Sequence, residues 1–278
     1  MLQPFPKQLR LIGLLACFLL LTIALFGEST PVRANPSAYP PDPTADIDWS
    51  AGTAGVADIE AAFNVARTQE NAQLGLSLPM LTLPSQGAWD ALGDSGRAFW
   101  LINAERRDRA VLPMHGVESN VTSVAQYYAQ YLLDNDLWGH YEDGRSPWER
   151  LDANPAIHAC HDTLNVAENI AVFVTSGSSI PLPVERSVYM WMYEDADSAW
   201  GHRHAILWYP YNDNSGPGGQ EGFLGIGRAS GGPYQGPFSQ PWNFAELIVM
   251  NVFDPCATWD YNIPPIDNWI FLPFVLRH

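Results

Sequence analysis

Gly222-Phe-Leu-Gly-Ile-Gly-Arg-Ala229 and Glu246-Leu-Ile-Val-Met-Asn-Val-Phe253, separated by a Gly/Pro-rich stretch from Ser230 to Pro241, read as two strands joined by a loop. Upstream of them the apolar period changes to that of helices. Phe99, Ile102 and Arg106 share one face after Ser95, a cap candidate, and Val121, Val124, Ala125, Tyr128 and Leu132 share another. Val184 to Asp195 gives a third helix, with Val188, Trp191 and Met192 on its apolar side, and Val56 to Leu74 gives an earlier one through Ile59, Ala62, Phe63 and Ala66. Helices first and strands late predict an α+β fold. The strict alternation that builds a doubly wound sheet is missing.

The amino terminus reads as an export signal. Lys7 and Arg10 precede an uncharged run from Leu11 to Phe26, too short for a bilayer span, and Val32-Arg33-Ala34 has the small-x-small form of a cleavage site. The rival lipoprotein reading of Leu14-Leu15-Ala16-Cys17 is opposed by the apolar run continuing well past the cysteine. The chain thus divides into a signal at 1–34, a Pro-rich leader and N-terminal extension at 35–94, a main domain at 95–255 and a tail at 256–278. Trp269 to His278 is apolar but too short to span a bilayer, and fits a closing edge strand first or an exposed recognition tail.

The sequence carries 14 basic and 30 acidic residues, and losing Lys7, Arg10, Arg33 and Glu28 with the signal moves the net charge from −16 to about −18. So acidic a surface repels nucleic acid and anionic headgroups, and it attracts cations. Of three cysteines, Cys17 leaves with the signal. Cys160 and Cys256 remain, and an oxidising compartment would pair them. The loop closed would be about 100 residues long, a stabilisation of about 4–5 kcal/mol by chain entropy.

There is no His-Glu-x-x-His, Gly-x-Ser-x-Gly, P-loop or dinucleotide fingerprint. The remaining chemistry lies in three segments. His140 stands on a loop before the Pro147-Trp-Glu-Arg150-Leu151 turn. Glu168 is a lone acid in Ala167-Glu-Asn-Ile-Ala171, where a buried carboxylate needs a partner. Glu194 and Asp195 follow the Trp191 helix, and Gly201-His-Arg-His204 would place His202 and His204 on one side if extended. His158-Ala-Cys160-His161 resembles a metal cluster, but a bonded Cys160 would not ligate. Asn212-Asp-Asn-Ser215 with Glu221 lacks EF-hand spacing and reads as an Asx turn. Asn120-Val-Thr122 is a sequon inside a helix.

The order of these pieces resembles the bacterial branch of the CAP superfamily (cysteine-rich secretory, antigen 5, pathogenesis-related 1; SCP domain): Asn103 and Arg106, His140 before Pro-Trp-x-Arg-Leu, Ala-Glu-Asn-Ile-Ala, a Trp-bearing helix, Gly-His-Arg-x-x-Ile-Leu, and Gly225-Ile-Gly227, over about residues 95–253. The resemblance implies an α-β-α sandwich with a central antiparallel sheet and a cleft lined by two histidines and two glutamates. Position by position these are His140, Glu168, Glu194 and His202, with Asp195 the alternative to Glu194 because residues 195–200 are inserted before Gly201. Several members hold a divalent cation there. Two imidazoles with carboxylates suit zinc first, with magnesium or calcium as alternatives, and His140 and His202 as metal ligands.

Three functions follow. The first is a secreted, non-catalytic module that binds a small molecule, lipid or cell-surface component, with the loop at 230–241 as a groove wall. The second is a metal-dependent hydrolase with Glu168 or Glu194 as general base. The third is an adhesive or scaffold protein with no role for the tetrad.

Overall fold

The computed structural model describes residues 39–159, 165–208 and 222–254. Among them the elements run α1 (Val56–Leu74), α2 (Gln86–Asp90), α3 (Gly93–Asp108), β1 (Gly116–Val117), α4 (Ser119–Asp134), α5 (Pro147–Asp152), β2 (Asn165–Thr175), α6 (Pro183–Tyr193), α7 (Gly201–Leu207), β3 (Phe223–Gly231) and β4 (Phe244–Asp254). The signal at 1–34, Cys160, Cys256, the Asn212–Ser215 turn with Glu221, and the tail lie outside the described residues.

The sheet order is β1-β3-β4-β2. β4 pairs antiparallel with β3 and β2, and the two-residue β1 adds a parallel pairing to β3. Side chains alternate across it. Leu224, Ile226, Ile248, Met250, Val252, Ala171 and Phe173 meet α1, α3, α6 and α7 on one face. Ile170, Ala229, Ala245, Leu247 and Val249 meet α4 on the other, beside a smaller cluster of Val121, Leu151, Phe223 and Phe253. This is the expected α-β-α sandwich.

Gly225 and Gly227 explain how closely α4 approaches. A Cβ on Gly225 would lie 2.2 Å from the Thr122 nitrogen, and one on Gly227 2.2 Å from the Ala125 carbonyl carbon. The motif glycines therefore bring helix backbone onto sheet backbone.

The extension shares the same core. Ile47, Ile59, Ala62, Phe63 and Ala66 belong to the larger hydrophobic cluster. Arg67 bonds Glu105 at 2.9 Å and Asp108 at 2.7 Å, Arg109 bonds Glu70 and Glu105, and Arg203 reaches Glu70 at 2.6 Å. The Pro-rich composition of the leader predicts an extended, poorly ordered segment, yet from Tyr39 onward it is fastened. Arg203 Nη2 donates to the Pro41 carbonyl, and His204 both stacks on Tyr39 and bonds Asp42.

Two local expectations are corrected. Ser95 is no cap, since α3 begins at Gly93; its hydroxyl instead exchanges hydrogen bonds with Ile226 N and O. The segment with His202 and His204 is helical, so residues two apart point to different sides.

Candidate functional site

β2 is an edge strand, and its pleat sends Glu168 and Asn169 to opposite faces. Glu168 points to the side of α4 and α5, where it accepts from His140 Nδ1 at 2.9 Å. Arg150 Nη2 donates to its two oxygens at 2.7 and 2.8 Å, and Asn251 Nδ2 donates at 3.0 Å from the paired position on β4. The carboxylate is fully buried and its acceptor sites are occupied by protein donors.

Arg150 organises this half. It sits in α5, which begins with Pro147 and is held by a capping box between Ser146 and Glu149. Besides Glu168, its guanidinium bonds Asp143 and the carbonyls of Arg145 and His140, and lies 3.4 Å from the centre of the Tyr128 ring. Tyr128 donates to the Gly139 carbonyl at 2.7 Å and accepts from Glu142 N. Burial pushes its phenol up to about 12. The loop carrying His140 is thus tied down on both sides of the histidine. In the sequence Arg150 stands out only as part of a motif; the usable signal is an arginine set beside Leu151 in a capped turn.

On the other face, Asn169 Nδ2 donates to the His202 carbonyl at 3.0 Å. His202 Nδ1 meets Asp195 Oδ1 at 2.6 Å, while Asp195 Oδ2 accepts from the backbone nitrogens of His202 and Arg203. Asp195 is buried, and it both caps α7 and orients the ring. It can do so because the inserted residues form a 3-10 turn, Ala196–Ser198, followed by left-handed Ala199 and Trp200, which fold the chain back.

Glu194 lies elsewhere. Its carboxylate accepts from Trp49 N at 2.6 Å, and burial raises its pKa. The acid partnering the second histidine is therefore Asp195, the alternative reading, and the correction follows from α6 ending at Tyr193.

Both imidazoles meet a carboxylate at the same ring atom. The carboxylate accepts, so Nδ1 carries a proton, and in the neutral ring Nε2, across from it, holds the lone pair. The rings are 38 % and 25 % exposed for His140 and His202, enough to meet a solute. Among the described residues no three His, Cys, Asp or Glu side chains gather as one metal cluster. What the two pairs can offer is a pair of nitrogens, one on each side of the edge strand, backed by carboxylates that are already engaged. His204 is committed to Asp42, and His158 bonds Asp152 on the surface.

The other motif residues are structural. Asn103 holds Met114 through both its nitrogen and its carbonyl, and Arg106 bonds the Leu112, Ile206 and Trp208 carbonyls, joining α3 to the end of α7. The loop after β3 packs through the Tyr234 hydroxyl onto the Leu137 carbonyl. It leads into the end of β4 where Phe244 pairs with Thr175, about 20 Å along β2 from Glu168. It packs on the end of α4 and, through Phe238, joins the apolar cluster that holds Leu137 and Trp138, just ahead of His140.

No protein-family model and no curated protein sequence matches the chain. Among solved structures it is similar to an outer surface protein from Borrelia burgdorferi, at 17 % identity and a TM-score of 0.37, over 59 % of this chain and 93 % of that one. It is also similar to the CAP domain of enterococcal PrgA, at 12 % identity and a TM-score of 0.38, over 82 % of this chain and 90 % of that one. Its own sheet and helix layers form the α-β-α sandwich that the motif series implies. No helix among the described residues is long and apolar enough to cross a membrane.

Proposed function

We propose that the chain is an exported, non-catalytic binding protein in which His140 and His202 take up a divalent cation, zinc first, through their Nε2 atoms. The observation that carries this is the shared orientation of the two rings, each giving Nδ1 to a buried carboxylate. That is the arrangement by which proteins fix the tautomer and raise the basicity of a metal-binding histidine. With Glu168 saturated by Arg150, Asn251 and His140, and Asp195 spent on His202 and the α7 backbone, the cation would have two protein nitrogens and water. Such a site is weak and exchangeable.

The hydrolase reading loses support from the same geometry. A general base must reach a substrate proton, directly or through one water. Glu168 is fully buried in an ion pair, and Glu194 is bonded to Trp49 N. Calorimetric titration of the purified protein with zinc and magnesium, beside His140→Ala and His202→Ala, tests the proposal, with peptide, ester and glycan hydrolysis screened in parallel. One equivalent of zinc, lost in either variant and without turnover, is expected. No zinc uptake, or a hydrolysis abolished by Glu168→Gln, would overturn it.

A further inference from the structure

The chain from Tyr39 to Trp49 runs along the end of α6, the 3-10 turn and α7, and its bonds go to the neighbours of Asp195 and His202. Just before Asp195, Ile47 N donates to the Tyr193 carbonyl at 2.8 Å and Trp49 N to the Glu194 carboxylate at 2.6 Å, a contact that a glutamine oxygen would keep. Just after it, Ala196 N donates to Asp46 Oδ1 at 2.9 Å. Past His202, Arg203 Nη2 donates to the Pro41 carbonyl at 3.1 Å, and His204 Nε2 meets Asp42 Oδ2 at 2.8 Å.

The segment between Asp195 and His202 needs such support. Ala199 and Trp200 have φ of 51° and 60°, left-handed values that are costly for residues with side chains, and a turn of this kind persists only where its surroundings over-determine it. The 3-10 turn also lacks a cap from its own Asp195, whose carboxylate is spent on His202 and the α7 backbone. Asp46 supplies the missing acceptor from the extension. The turn in turn decides where Asp195 Oδ1 stands against His202 Nδ1. The other histidine is fixed differently: the ties of the His140 loop come from Arg150 and Tyr128.

We infer that residues 39–49 are a brace that positions Asp195 and, through it, the His202 ring, so that the N-terminal extension is part of the cation site; this rests on the cation reading above. Asp42 and Asp46 are positioning residues. They act on the turn and on α7, and a histidine ligand is only as well placed as the shell that supports it.

The paired variants Asp42→Ala/Asp46→Ala and Asp42→Asn/Asp46→Asn test the brace. Both remove the same two charges, but the asparagines keep an acceptor oxygen at each position. Two-bond ¹H–¹⁵N spectra of the zinc-free proteins and calorimetric zinc titrations compare them with the wild type. The alanine pair is expected to lose the single Nδ1–H form of His202 while His140 keeps its wild-type signals, and to bind zinc about tenfold more weakly. The asparagine pair should match the wild type in both. Asp46 is exposed and Asp42 half-buried, so the variants should fold, which thermal unfolding verifies; Asp46→Ala alone should shift both readouts in the same direction. An unchanged His202 in the alanine pair, an equal change in the asparagine pair, or a parallel change at His140 would overturn the inference. If the wild type takes up no zinc, the cation reading fails, and the His202 signals still decide for or against the brace.

Discussion

Arg150 and Glu168 form a buried ion pair in which one guanidinium nitrogen spans both carboxylate oxygens, at 2.7 and 2.8 Å. The same guanidinium supports the His140 carbonyl, so the pair joins the loop to the edge strand. Removing one member of a buried pair leaves a charge without compensation. Arg150→Ala is expected to cost about 3–5 kcal/mol in urea unfolding. Arg150→Lys should recover only part of this, because an ammonium lacks the planar fork that serves several acceptors at once.

Asp195 and Glu194 are adjacent acids with different partners, and substitution separates them. Asp195→Asn should weaken zinc uptake by about 10–100-fold, the usual effect of disturbing a carboxylate behind a metal-binding histidine. Glu194→Gln should leave zinc uptake unchanged, since its contact is Trp49 N. Calorimetry on both variants checks the pair of outcomes.

Gly227→Ala should destabilise the domain more than an ordinary surface change, by about 1–3 kcal/mol, the range for overpacking. The added methyl would meet the α4 backbone at Ala125 and could be relieved only by moving the helix from the sheet. Denaturant unfolding measures it, and loss of the near-ultraviolet signal of Tyr128 should accompany it.

The buried network between the extension and α3 gives acid sensitivity. Burial pushes the Glu105 carboxyl up, but Arg67 and Arg109 outweigh it and hold the group at about 2, below its ordinary 4.5. A carboxyl depressed on folding stabilises fully above its unfolded value, and that stability is lost as pH falls toward the folded one. The stability of the wild type should therefore fall between about pH 4.5 and 2, and Glu105→Gln, less stable at neutral pH, should show a shallower decline there. Equilibrium unfolding at a series of pH values checks the slope.

The sequence disclosed most of the frame. Period alone located α1 at Val56–Leu74, and β3 and β4 came within two residues at most of their ends. β2 carries strand residues at Val166, Ile170, Val172, Val174 and Thr175, but Glu168-Asn169 interrupts the apolar run, and these interrupting residues are those that hold the two histidines. β1 is too short to leave a period. The helical start at Gly201 was hidden because its capping carboxylate, Asp195, sits six residues upstream across a turned-back insertion, beyond any local capping rule. Arg150 was hidden for a related reason: a buried arginine is recognised by its acceptors, and those come from residues 140, 143, 145 and 168.

The central claim is that His140 and His202, oriented by Glu168 and Asp195 on either side of β2, present their Nε2 atoms to one cation. Two-bond ¹H–¹⁵N correlation of the ring nitrogens, recorded on the labelled protein before and during zinc addition, addresses it directly. The Nδ1–H tautomer is expected for both residues, with a change at both Nε2 resonances in step, complete at one equivalent of zinc. An Nε2–H tautomer at either residue, or a zinc response confined to one of them, would contradict it.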